Sequence, residues 1–255
     1  MQCRVKIGCC GFAGGMSSYF ERLKVVEIQQ TFYKLPQLST VRRWRERAPE
    51  GFEFTVKAFQ AITHPTSSPT WRKSSIKIHP KLASKYGLLR PTAENLEMWN
   101  KTREVMDALQ SRICLVQCPP SFQLTRKNLT NLKRFFLKAP REGIEVAWEP
   151  RHKSWHEERD TVRELCSSLN LIHVTDIFKR EPVSEHPVNY IRLHGLGKEI
   201  NYKYKFTDSD LQSLMHKTED LCKRSRELYV LFNNMSMKED AIRFQRMLQT
   251  EGLML

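Results

Sequence analysis

The sequence has no apolar run approaching the roughly 18 residues that a bilayer-spanning helix needs. It has no G-x-G-x-x-G and no Walker-type loop, so no nucleotide cofactor is expected. It has no C-x-x-C pair either, which removes the usual spacing of a zinc or iron–sulfur site. Glycine is scarce, at 10 of 255 residues, and low-complexity or collagen-like sequence is thereby excluded. Acidic residues are missing from two long stretches. Residues 54–93 contain no Asp or Glu but seven basic side chains, and residues 108–141 repeat that count. These two stretches account for the whole formal charge of +14, because the other 181 residues hold 28 basic and 28 acidic side chains.

Charge segregated in this way sets up a positive field over part of the surface and points to an anionic partner, either nucleic acid or a sugar phosphate. The first stretch also places Phe59, Trp71 and Tyr86 among its cations, an arrangement suited to stacking bases while phosphates are neutralised. No membrane association is expected. The first seven residues, Met-Gln-Cys-Arg-Val-Lys-Ile, turn polar too early for a secretory signal, so the expected compartment is the cytoplasm, with the seven cysteines mostly reduced.

Eight short apolar runs read as strands: residues 3–10, 25–29, 52–57, 113–118, 144–149, 171–175, 188–194 and 228–233. Helical patterns follow most of them, at 39–48, 93–109, 125–138, 155–169, 208–226 and 237–249. Eight strand–helix units in about 250 residues predict an α/β (β/α)8 TIM barrel. The expected organisation is a single domain over 1–255, with a basic Pro/Ser-rich insertion at 58–92 after the third strand.

Polar residues recur with period two near the strand ends. The sets are Glu27, Gln29 and Thr31; Glu53, Thr55 and Lys57; Glu145, Glu149 and Arg151; and Tyr190, Arg192 and His194. Asp176 follows the sixth strand and Asn233-Asn234 end the eighth. Burying so many ionisable groups is costly unless they pair or hold a ligand. One reading is therefore an internal salt-bridge network, such as Lys57 with Glu27 or Arg192 with Glu149. The other is an active site at the carboxyl end of the strands, where barrel enzymes carry theirs.

Several segments carry a further resemblance. They are Ile7-Gly8-Cys9-Cys10-Gly11-Phe12, Glu27-Ile28-Gln29-Gln30-Thr31-Phe32-Tyr33, Phe52-Glu53-Phe54-Thr55-Val56-Lys57 and Ile62-Thr63-His64. Gln117-Cys118-Pro119-Pro120-Ser121-Phe122, Glu149-Pro150-Arg151-His152, Ile191-Arg192-Leu193-His194-Gly195 and Phe232-Asn233-Asn234 continue the series. In this order the segments resemble the YecE-like family (domain of unknown function 72). The resemblance implies a TIM barrel, likened at the level of fold to sugar isomerases and to endonuclease IV. Cys9-Cys10 and Gln29 depart from the more usual Thr-Ser and Asn of that pattern.

From these residues, Glu27, Lys57, Glu149, Arg192 and His194 are the catalytic candidates. Tyr33, His64, Arg72, Lys73, Gln117, Arg126, Lys127, Arg151, His152, Asn233 and Asn234 are the candidates for substrate binding. Glu27, Glu149, Asp176 and His194 are ligand types that a divalent metal ion would use, although no tight ligand motif links them. The expected function is an enzyme acting on a phosphate-bearing substrate, with nucleic acid foremost. A sugar or sugar-phosphate isomerase or hydrolase, and a non-catalytic nucleic-acid binder, are the alternatives. The buried-core role is the expectation for Cys9, Cys10, Cys114 and Cys118.

Overall fold

A computed structural model describes residues 3–252. The elements in chain order are β1 (Arg4–Cys9), α1 (Met16–Phe20), β2 (Val25–Ile28), α2 (Gln30–Tyr33), α3 (Leu38–Arg47), β3 (Glu53–Lys57) and α4 (Gln60–Thr63). Two 3-10 turns, Pro69–Lys73 and Pro80–Lys85, precede α5 (Ala93–Leu109). Then come β4 (Ile113–Gln117), α6 (Arg126–Lys138), β5 (Glu145–Glu149), α7 (Lys153–Glu157), α8 (Arg159–Leu169) and β6 (Leu171–His173). The chain finishes with β7 (Val188–Leu193), α9 (Asp208–Cys222), β8 (Glu227–Phe232) and α10 (Met237–Thr250).

The strands form one sheet in the order β6-β5-β4-β3-β2-β1-β8-β7. A parallel bridge between Thr175 and Ile191 adds the segment after β6 to β7. This is the (β/α)8 TIM-barrel architecture that the alternation of patterns predicts. No helix among the described residues is long and apolar enough to cross a membrane.

The chain divides into two compact units. One takes the described residues up to Glu27, with 48–53 and those from 172 onward. Within it β1 runs in register beside β8, from Arg4 opposite Glu227 to Cys9 opposite Phe232. Tyr19 ties β1 to β2: its hydroxyl accepts from the Cys9 N–H and donates to the Val25 carbonyl, both at 2.8 Å. Gly8 permits that approach, because a Cβ there would lie 2.1 Å from the Val25 oxygen. Thr207 and Asp210 form a capping box that starts α9.

The other unit takes residues 28–47 and 54–171. Here β4 pairs with β3 and with β5, setting Gln117 opposite Glu149. α6 buries Leu132, Phe135 and Phe136 while its cations face water, as its amphipathic pattern predicts. The Thr92 and Thr125 hydroxyls cap α5 and α6 by accepting from the N–H groups of Asn95 and Asn128.

Two sequence expectations are corrected. The helix expected over 155–169 is two helices, since Glu158 (φ −103°, ψ 60°) breaks the path. Trp155 on the first of them stacks on Phe122 and donates its indole N–H to that residue's carbonyl at 2.6 Å, a tertiary contact that outweighs continuity. Gln29 and Thr31 do not extend β2: Gln29 caps α2 and Thr31 lies within it, its hydroxyl bonded to the carbonyls of Ile28 and Lys57. Cys3 and Cys222 form a disulfide, so not every cysteine is a thiol. Their separation of 219 residues gave no local spacing to read. Cys9, Cys10, Cys114, Cys118 and Cys166 are buried thiols.

Candidate functional site

In the first unit, Glu27 is wholly buried and so is Arg192. The Arg192 Nη2 donates to Glu27 Oε1 at 2.9 Å and its Nε to Oε2 at 3.1 Å, a bidentate fork. The Tyr190 hydroxyl adds a third bond to Glu27 Oε2 at 2.7 Å. Tyr190 stacks in turn on Tyr229, whose hydroxyl donates to Glu53 at 2.5 Å. Lys6 pairs with Glu53 and with Glu227 near the amino end of β1. Thus Glu53, which shares the parity of Lys57, belongs to an ion network at the opposite end of its strand. Two ion pairs are shown at the candidate carboxylates, Arg192 with Glu27 and Arg151 with Glu149.

Asp176 and His194 meet in the same unit. The His194 backbone N–H donates to Asp176 Oδ2 at 2.9 Å and its Nδ1 lies 3.6 Å from that oxygen. Lys179 reaches the same oxygen at 3.1 Å. Burial alone would push the Asp176 carboxyl up, but the bonds from His194 and the charge of Lys179 hold it below its ordinary value. The Asn234 Nδ2 donates to the Tyr204 carbonyl and to Asp240, both at 2.7 Å. Asn233 is half-buried and its N–H donates to the Leu193 carbonyl.

The second unit gathers more of the candidates. Lys57, Gln117 and Glu149 are the last residues of the neighbouring strands β3, β4 and β5. Lys57 Nζ donates to Gln117 Oε1 at 2.8 Å and lies 4.3 Å from the centre of the Phe32 ring. Arg151 Nη2 lies 2.6 Å from Glu149 Oε1, with both side chains nearly buried. His64 follows α4, packs edge-on against Phe32, and shares a 2.8 Å bond between its Nδ1 and the Thr63 hydroxyl. Burial pushes the His64 imidazole down, and the fields of Lys57 and Arg151 push it further, to about 3. It is therefore neutral at physiological pH.

Trp71 and residues 87–89 secure His64 and the helix before it through the backbone. The His64 carbonyl accepts from the Trp71 indole at 3.2 Å. Gly87 (φ +74°) comes so close that a Cβ would sit 2.5 Å from that carbonyl oxygen. The N–H groups of Gly87, Leu88 and Leu89 cover the carbonyls of Ala61, Thr63 and Ile62. Lys73 lies 5.4 Å from the Tyr33 ring centre, which docks the first 3-10 turn on α2. Arg72 is exposed, as are Arg126 and Lys127 in the first turn of α6. His152 acts locally, because its Nδ1 accepts from the Ser154 N–H at 3.1 Å and caps α7.

The foreseen metal set is not assembled. Among the described residues no group of three or more His, Cys, Asp or Glu side chains could hold a metal ion. Glu27 is forked by Arg192, Glu149 faces Arg151, and Asp176 holds Lys179. Cations occupy those carboxylates, so the residues do not fit the metal and no step is routed through one. A thiol role fares no better, since burial pushes Cys9 and Cys118 up to about 12. Pattern reading missed Phe32 and Thr63 as neighbours of the site; both lie inside the resembling segments, but in helices of four residues that carry no periodic signal.

The family model described as "Protein of unknown function DUF72" matches residues 13–253. The chain belongs to the DUF72 family. A relative in that setting is the UPF0759 protein YunF of Bacillus subtilis (strain 168), 21% identical over 92% of this chain and 85% of its own. A DUF72 family protein from Enterococcus faecalis V583 has the same fold, with a TM-score of 0.73 and 19% identity over 96% of this chain and 95% of that one. Outside the family, endonuclease IV from Thermus thermophilus shares the fold at a TM-score of 0.53 and 11% identity, covering 97% of this DUF72 chain and 99% of its own. The likeness to endonuclease IV that the sequence resemblance implied is thus one of fold.

Proposed function

We propose that this DUF72 protein is an enzyme acting on a phosphate-bearing substrate, with nucleic acid the favoured class, at the strand ends marked by Lys57, Gln117, Glu149 and Arg151. The observation that carries the reading is the placement of Lys57 and of the Arg151–Glu149 pair at the ends of neighbouring strands, in the unit that also buries a neutral His64. An anion placed by those two cations gains charge-assisted bonds to an ammonium and a guanidinium. Gln117 orients Lys57 and Glu149 orients Arg151. Neutral His64 supplies a ring nitrogen for hydrogen bonding without adding charge. Glu149 is the carboxylate beside the bound phosphate and serves as proton acceptor for the attacking hydroxyl or water.

Two further features support an extended anion. The acid-free stretches 54–93 and 108–141 both fall in this unit, and Arg72, Arg126 and Lys127 are exposed there. Endonuclease IV, by its name, is a nuclease, and it shares the fold.

The test is equilibrium binding of a generic DNA or RNA duplex across a salt series. The reading expects affinity that falls steeply with salt, because each neutralised phosphate releases counterions. It expects Lys57→Met to weaken binding and Glu149→Gln to keep binding while losing turnover. Tight binding of a small sugar phosphate, with no affinity for any oligonucleotide, would replace nucleic acid by a sugar phosphate as substrate. Binding that survives Glu149→Gln with no turnover in the parent protein would leave a non-catalytic binder.

A further inference from the structure

Five large hydrophobic side chains are exposed among the described residues, and three of them, Ile200, Tyr202 and Met235, belong to two loops joined by a backbone bond. The Met235 N–H donates to the Tyr202 carbonyl at 2.7 Å. Met235 is 77% exposed and Tyr202 48%. These loops follow β7 and β8, so they emerge at the carboxyl ends of their strands. The Tyr202 ring centre lies 6.1 Å from that of His194, which places the tyrosine beside a buried polar residue at a strand end.

The loop after β7 is braced. Asn201 donates its N–H to the His194 carbonyl at 2.8 Å and its Nδ2 to the Leu196 carbonyl at 2.9 Å. Gly195 (φ +84°) closes the turn, and a Cβ there would stand 2.4 Å from the Asn201 oxygen. Arg180 forks Glu199 at 2.7 and 3.0 Å. Tyr202 is therefore presented on a fixed frame, and little ordering entropy remains to be lost when something covers it.

The surrounding charge selects the occupant. The segment Lys198-Glu199-Ile200-Asn201-Tyr202-Lys203-Tyr204-Lys205 alternates cations with aromatic and apolar side chains. Its one acid is matched by Arg180, whereas Lys198 and Lys203 are exposed. Exposed apolar side chains interleaved with cations suit a flat ring attached to an anion better than an apolar protein segment. Duplex bases are already stacked on one another, so the ring must come from an unpaired nucleotide.

We infer that Tyr202, flanked by Met235 and Ile200, is a stacking platform for an unpaired base of a single-stranded nucleic acid, with Lys198 and Lys203 meeting the adjoining phosphates. The inference rests on the phosphate-bearing reading above and narrows its substrate to one that carries bases.

The experiment compares a fluorescent 12-residue oligothymidylate with an abasic strand of equal length and charge, at one salt concentration, using the full chain. The parent protein is expected to prefer the thymidylate by about tenfold, the scale of one base–aromatic stack. Tyr202→Ala should erase the preference while leaving affinity for the abasic strand unchanged, and Tyr202→Phe should retain it. Equal affinity of the parent protein for both strands would overturn the platform and leave the phosphate reading standing. Loss of the preference in Tyr202→Phe would overturn stacking, since the ring remains. No affinity for either strand would overturn the platform, while binding of a duplex or a small sugar phosphate by the same protein would leave the phosphate reading standing.

Discussion

Two buried ionic groups in this molecule use the same residue types to different ends. In one unit Glu27 receives a guanidinium fork and a tyrosine hydroxyl, and the partners are themselves fully buried. In the other, Lys57 and Arg151 both bear on an imidazole that carries no charge. The first arrangement is matched within the protein and specifies the packing of β2 against the contents of β7. The second sets an ammonium and a guanidinium beside a neutral ring at strand ends, and it is there that we propose an anion binds. Ionisable residues at barrel strand ends are therefore not equivalent evidence for a site; what distinguishes them is where their field falls.

The comparison breaks most visibly at Arg192. Arg192→Met leaves Glu27 buried without its fork and should cost about 3–5 kcal/mol, read as a lowered midpoint in urea unfolding. Adding Glu27→Gln should recover most of that loss. Full stability in the single variant would mean that Glu27 is not held as described.

The next effect is pH-dependent and belongs to the other group. His64 is neutral when folded, to about pH 3, but binds a proton near pH 6.5 when unfolded. The unfolded state thus binds more protons between these values. The contribution is complete above pH 6.5 and is lost as pH falls toward 3. Between pH 6.5 and 4.5 the parent protein should lose about 2 kcal/mol more than His64→Gln does. Parallel stability curves for the two proteins would place His64 in a solvated setting instead.

Two smaller effects probe the strap that holds His64. Gly87→Ala forces a Cβ toward the His64 carbonyl at positive φ and should cost about 1–3 kcal/mol. Leu88 has φ +52° and is half-buried, so Leu88→Asn should be neutral or stabilising by up to about 1 kcal/mol in the same unfolding assay. A cost for Leu88→Asn comparable with that of Gly87→Ala would mean that the leucine side chain, and not the backbone path, secures the strap.

The fold was largely legible because its signals are local. β-Branched runs bounded by charges marked all eight strands to within a few residues at each end, and the amphipathic stripe of α6 marked that helix. Short elements such as α1, α2 and α4 escaped because four or five residues cannot show a helical period. The site was legible only in part. Period-two polarity identified Glu27, Lys57, Glu149 and Arg192 as inward-facing, yet it could not say which acid meets which base, since pairing depends on contacts across distant segments. Lys6 with Glu53 and Glu227 shows the limit, for the same alternation also serves the amino ends of strands. The Tyr202 loop escaped for another reason: its cations lie in a part of the chain whose net charge is zero, so a tally by stretch concealed them.

The most direct test of the account follows the His64 ring in protein labelled with 15N-histidine, at pH 7, during titration with the single-stranded 12-mer. The account predicts that the His64 signals shift along the same binding curve as the fluorescence, and that Lys57→Met weakens both responses together. Saturable binding with the His64 signals unmoved would place the anion elsewhere and contradict it.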